Sequence, residues 1–230
     1  MSSVVDQARD LKAQAMDARD AGKFRRAHRL LDEAVQLLHD ALAKIAMPGA
    51  GSSGEGEYEL RVRTQLLHIY GSIGGVYRRE NLLEKSASAY DDGDKTERML
   101  DRTSQPNSYN LTQRLIARAL IDVRAVEKEG MLVAGEPVRE RLIAARREIE
   151  RQQTIRPGDA YATADLLLVS VLLGDSDWTE IAGNFRSQAK NDQYALDVTR
   201  DVLALLLEKA AERELPGLAD RLKQAIARLT

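Results

Sequence analysis

The sequence predicts an all-α protein of about ten helices paired as antiparallel hairpins. Aromatic residues are only 4% of the chain, against 43% hydrophobic and 30% charged, a balance that suits amphipathic helices and not a β-sandwich or barrel. Apolar residues recur at three and four along most of the chain, which is the period of a helix with one buried face. Glycine, proline and short polar clusters fall between these periodic segments, where helices turn.

Taken in order, the first hairpin occupies 1–46, broken once at Ala21-Gly22-Lys23. The Gly- and Ser-rich stretch 47–57 cannot bury apolar surface and reads as a flexible linker. A second hairpin follows over 58–104, one helix from Tyr58 to Arg79 and its partner from Leu82 to Leu100, with Arg79-Glu80-Asn81 as the turn. Thr103 to Asn107 stops the second helix, since Pro106 biases Gln105 away from helical geometry. A third helical pair spans 107–155: Asn107 or Ser108 caps a helix reaching about Glu127, Gly130 and Gly135 bracket its end, and Pro137 opens a charged helix to about Gln153. The C-terminal hairpins fill 158–230. Asp159 caps Ala160 to Leu173, whose LLLVSVLL run predicts burial on most sides, and Gly174-Asp175-Ser176 turns into Trp178 to Lys190. Asp192 to Arg213 and Gly217 to Leu229 form the last pair.

Within the second hairpin, Tyr70, Ile73, Gly74 and Tyr77, then Ser86 and Tyr90, follow the spacing and residue types of tetratricopeptide repeats, which this chain resembles over its first hundred residues. Leu11, Ala15, Ala18, Phe24, Ala27, Leu31 and Ala34 fit the pattern more loosely in the first hairpin. The physical demand is close helix approach at Gly74 and Ser86, with the tyrosines filling space between neighbours. The resemblance departs in spacing, because Ala15 and Gly74 are separated by far more than the roughly 34 residues of one repeat. It implies hairpins stacked as a right-handed solenoid, with a separate bundle after about residue 135 as the alternative. SASAYDDGDKTERML, SYNLTQRLIARALI and YATADLLLVSVLLGD also resemble bacterial tetratricopeptide proteins found beside defence or signalling effectors.

Charge and composition exclude several classes. With 34 Lys+Arg against 36 Asp+Glu the net charge is -2, so any attraction for anions must be local. No cysteine is present, which removes disulfides, thiolate nucleophiles and Cys-type zinc sites. The acidic, mostly polar start MSSVVDQARDLKAQ is no signal peptide, and the expectation is a cytoplasmic protein. Catalytic motifs such as HExxH, GxSxG and Walker loops are absent, and Asp91, Asp92 and Asp94 lack the glutamate that closes a calcium loop. No enzyme activity, cofactor or metal is expected. His28 and His39 read as solvated helix residues, and Trp178 and Phe185 as core.

In the repeat resemblance the first helix of each pair lines a concave groove. Its groove places are Arg9, Lys12, Met16 and Arg19, then His68, Gly71, Gly75, Arg78 and Arg79. Asn110, Arg114 and Arg118 would continue the stripe in the third pair. Guanidinium groups suit carboxylates and phosphates, so the expectation is a scaffold or adaptor holding an acidic peptide or protein surface. A nucleic-acid-binding or regulatory role is the alternative, a membrane partner is not expected, and oligomeric state is left open.

Overall fold

The computed structural model describes residues 3–46, 55–100 and 107–230. Ten α-helices make up almost all of it, as expected, with one 3-10 turn and one very short β-hairpin among the described residues. Most of the 47–57 linker and the stop at 103–106 lie outside those residues. The chain divides into two compact units, 1–105 and 106–230, each considered by itself. No helix among the described residues is long and apolar enough to cross a membrane.

In the N-terminal unit, α1 (Val4–Asp20) is capped by the Ser3 hydroxyl, which accepts from the Asp6 amide at 3.1 Å. Helix α2 (Phe24–Ile45) buries Ala27, Leu30, Leu31, Ala34, Leu38 and Ala41, a stripe at helical spacing that packs on α1 and on α3 (Glu55–Arg79). Helix α3 begins three residues before the expected Tyr58. It pairs with α4 (Leu83–Arg98). The tetratricopeptide-like residues sit where these two helices touch. The Ser86 hydroxyl donates to the Gly74 carbonyl at 2.8 Å, and a Cβ built on Gly74 would lie 2.6 Å from Cζ of the fully buried Tyr90. Glycine is therefore a steric requirement of this crossing.

Three helix pairs share one turn. Gly22, Asn81 and Glu214 adopt left-handed φ values of 70°, 59° and 55°. In each turn the next amide donates five residues back, Lys23 to Ala18 at 2.8 Å, Leu82 to Tyr77 at 2.9 Å and Leu215 to Ala210 at 3.0 Å, which is the Schellman closure of a helix end. The residue making that bond then starts the next helix with φ and ψ near −90° and 60° at Lys23 and Leu82, and −103° and 77° at Leu215. Consecutive helices joined this way are consistent with a helical-repeat arrangement.

The C-terminal unit is organised around α7 (Ala160–Leu173), which touches α5 (Tyr109–Ile121), α6 (Val138–Ile155), α8 (Trp178–Gln188), α9 (Gln193–Glu212) and α10 (Pro216–Leu229). Every residue of α7 from Ala162 to Leu173 is buried, Thr163, Asp165 and Ser170 included, as the LLLVSVLL run predicts. Its ends follow the expected chemistry: the Asp159 carboxylate accepts from the Tyr161 and Ala162 amides, and Gly174 closes the helix at φ 77°. Trp178 and Phe185 are core residues.

Two local expectations are corrected. Helix α5 stops at Ile121, not near Glu127, because Asp122 is extended and its carboxylate accepts from the Arg124 amide, starting a 3-10 turn over Val123–Val126. Beyond it, strands β1 (Leu132–Val133) and β2 (Glu136–Pro137) pair antiparallel, Leu132 opposite Pro137 and Val133 opposite Glu136. Ala134 and Gly135 between them have φ of 51° and 79°, the mirror-image turn that suits strand twist. Pro137 therefore ends a strand and precedes α6 instead of lying in its first turn.

Candidate partner-binding face

Helices α1 and α3 pack side by side in the N-terminal unit, and a row of basic residues runs along them. Arg9 and Lys12, three apart, share a face of α1, and Arg61 and His68, seven apart, share a face of α3. Arg9, Arg61 and His68 are exposed and Lys12 is half-buried. Their fields overlap. Desolvation lowers the His68 pKa first, and the charges of Lys12 and Arg9 lower it further. Desolvation also lowers the Lys12 pKa. Among the described residues neither Lys12 nor His68 has a side-chain carboxylate partner.

The acid of this neighbourhood is Asp6, at the start of α1. Its carboxyl is held below the usual range chiefly by the Ser3 hydroxyl, with Arg9 and Arg61 adding attraction. Arg9 reaches it at 3.3 Å through an exposed pair, a contact weak enough in water to yield to a competing anion. Arg61 was not expected from the sequence, because the repeat register assigned the α3 groove places from His68 onward.

Farther along, the predicted residues are occupied within the protein. Arg19 is buried and donates to Asp20 at 2.9 Å and 3.1 Å. Arg79 donates to the same carboxylate at 3.1 Å. Asp20 is thereby kept ionised, first by Arg19 and then by Arg79, with its pKa lowered. Arg78 is half-buried, Gly71 is buried, and Met16 and Gly75 are half-buried. Arg19 and Arg79 are thus held by Asp20, whereas Arg9 and Lys12 stand nearer the start of α1, and Arg61 and His68 nearer the start and the middle of α3.

The expected continuation through Asn110, Arg114 and Arg118 is not available to a partner. Asn110 is fully buried and Arg114 nearly so. Arg114 donates to Glu136 at 2.8 Å, Arg118 approaches the other Glu136 oxygen at 4.0 Å, and Arg141 reaches Glu136 at 3.4 Å. The β-hairpin thus carries one carboxylate into a group of three arginines. Arginines four apart on one helix face are compatible with either a solvated stripe or a buried ion-pair cluster, and here the hairpin decides for the cluster.

One of the histidines corrects a second expectation. His28 hydrogen-bonds to the Glu80 carboxylate and lies on the Tyr77 ring with centroids 4.4 Å apart, while Lys85 covers that ring at 5.6 Å. His39 is within 3.1 Å of the Tyr70 hydroxyl. His28 ties α2 to the end of α3 instead of standing free in solvent, whereas His39 is exposed, as expected, with the Tyr70 hydroxyl beside it. No protein-family model, curated protein or solved structure matches the chain.

Proposed function

We propose that this protein is a non-catalytic helical-repeat scaffold of the tetratricopeptide type, which holds an acidic peptide or acidic protein surface on the α1–α3 face. The observation that carries the reading is the row of Arg9, Lys12, Arg61 and His68 along α1 and α3, in which Lys12 and His68 lack a side-chain carboxylate among the described residues and the charges of Lys12 and Arg9 bear on His68. Bringing like charges together costs free energy in the free protein, and an acidic ligand converts that repulsion into charge-assisted hydrogen bonds. The shared turn of three helix pairs and the Gly74–Ser86–Tyr90 crossing support the repeat assignment. A chain that is close to neutral overall needs such a local concentration of charge to attract an anion.

The test is fluorescence anisotropy with a labelled Glu- and Asp-rich peptide. Charge reversal at Arg9 and Lys12 together is expected to weaken capture by at least about tenfold while far-UV circular dichroism stays unchanged. Undiminished capture by the folded double variant would remove this face from consideration. Stronger binding of a single-stranded oligonucleotide than of the peptide would replace the acidic-protein ligand with nucleic acid.

A further inference from the structure

The C-terminal unit contains a second concentration of positive charge in a different setting. A cleft of about 600 Å³ opens where α8, α9 and α10 meet, within the range of roughly 300–1,000 Å³ typical of small-molecule sites. Arg186 and Lys190 line it from α8 and the turn that follows, four residues apart and so on one side; Gln193, Leu196 and Arg200 line it from one face of α9; Leu229 closes it from α10. No acidic side chain lines the cleft. Leu196 and Leu229 are buried and give it an apolar floor beneath the charged rim.

The cations differ in how they are held. Arg186 donates to the main-chain oxygens of Arg228 at 3.4 Å and of Thr230 at 3.3 Å, and Thr230 also lines the cleft. These long contacts orient the guanidinium at the end of α10 and leave N–H donors over for another acceptor. Arg186 and Lys190 have no side-chain carboxylate partner among the described residues, whereas Arg200 is paired with Asp197 on its own helix. Gln193 is the first residue of α9, whose N-terminus is already capped by the Asp192 carboxylate accepting from the Ala195 amide at 2.9 Å, so the cleft's positive charge comes from its side chains. Capping of α10 accounts for Arg186 alone. It does not account for Lys190 beside it, or for Arg200 facing the same space from α9.

We propose that this cleft binds a small organic polyanion, its phosphate or carboxylate oxygens held by Arg186, Lys190 and Arg200 and its carbon frame resting on Leu196 and Leu229. The guanidinium fork supplies paired, directional donors, and the ammonium of Lys190 adds an adjustable charge. The site lies wholly in the C-terminal unit and does not depend on the reading of the α1–α3 face.

Isothermal titration of the full chain with inorganic tripolyphosphate, and separately with citrate, tests this and distinguishes a phosphate from a carboxylate ligand. Saturable binding of at least one probe is expected, weakened at least about tenfold in R186Q/K190Q. K190Q alone changes only an exposed side chain and is expected to weaken binding several-fold with unchanged thermal unfolding, which separates a binding effect from a folding one. R9Q/K12Q is expected to bind like the parent. Absence of saturable binding for both probes, parental affinity in R186Q/K190Q, or loss of binding in R9Q/K12Q would each overturn the proposal.

Discussion

Replacing Gly74 with alanine sets two effects of opposite sign against each other. Gly74 lies inside α3, where alanine is favoured over glycine by about 1 kcal/mol from backbone entropy alone. Against that, the added Cβ would stand 2.6 Å from Cζ and 2.7 Å from both Cε atoms of Tyr90, so ring or helix must retreat by about 1 Å to restore an ordinary contact. Tyr90 is fully buried, and its ring cannot swing into solvent. Overpacking of this kind costs about 1–3 kcal/mol, and contact with three atoms at the hydroxyl end of a rigid, fully buried ring belongs at the upper end. The expected net result is a loss of about 1–2 kcal/mol in urea unfolding followed by circular dichroism. A double-mutant cycle with Tyr90→Leu isolates the cause, since in that background the same Gly74→Ala change should become neutral or stabilising. If Gly74→Ala stabilises the parent by about 1 kcal/mol, or shows no coupling to Tyr90, the close crossing of α3 and α4 is wrong.

Other consequences are equally open to measurement. His68 has its pKa lowered by desolvation, Lys12 and Arg9, so Lys12→Gln should move its imidazole titration upward in an NMR pH series; an unchanged titration would separate the two side chains. Because the unfolded chain takes up that proton more readily than the folded one, His68 contributes nothing above the ordinary imidazole range and destabilises the fold as pH falls through it. An acidic ligand on this face favours the charged ring, so peptide affinity should rise as pH falls from about 7 to about 5.5; a flat profile would detach His68 from the ligand. Ala134 occupies a left-handed turn position at φ 51°, so Ala134→Gly should stabilise the C-terminal unit by about 0.5–1 kcal/mol in chemical denaturation. Glu136→Gln weakens the carboxylate's contacts to Arg114, Arg118 and Arg141 and should cost about 1.5–3 kcal/mol by the same assay; parental stability would show that the hairpin carboxylate is not what holds the arginines.

Where each residue's own neighbours determine the outcome, the sequence was readable. The apolar run of α7 and its end signals Asp159 and Gly174 led directly to a buried helix with those caps, and the small and aromatic residues of the second hairpin marked a real crossing. The β-hairpin escaped because its strands are two residues long and its turn is Ala134-Gly135, without the Asn-Gly or Asp-Gly that announces such turns. The candidate face was half legible. The charges of Arg9 and Lys12 bear on His68, but Arg114 and Arg118 follow the same helical spacing and are drawn to Glu136, a partner far along the chain on an element the pattern did not contain. Charge periodicity identifies a face of a helix, while the contacts that cover that face come from elsewhere in the fold.

The all-round burial of α7 also determines how the C-terminal half tolerates being cut. A helix with one apolar stripe keeps a wettable back when a neighbour is lost, but α7 has none: Ala162 through Leu173 are covered on every side by five other helices. Removing α9 and α10 would uncover the side of LLLVSVLL that they cover, an uncharged segment of aliphatic residues that matches the chemistry of intermolecular strand formation. Truncations inside this half should therefore precipitate instead of yielding smaller soluble fragments, and a chain emerging during synthesis must keep that segment shielded until α9 and α10 have arrived.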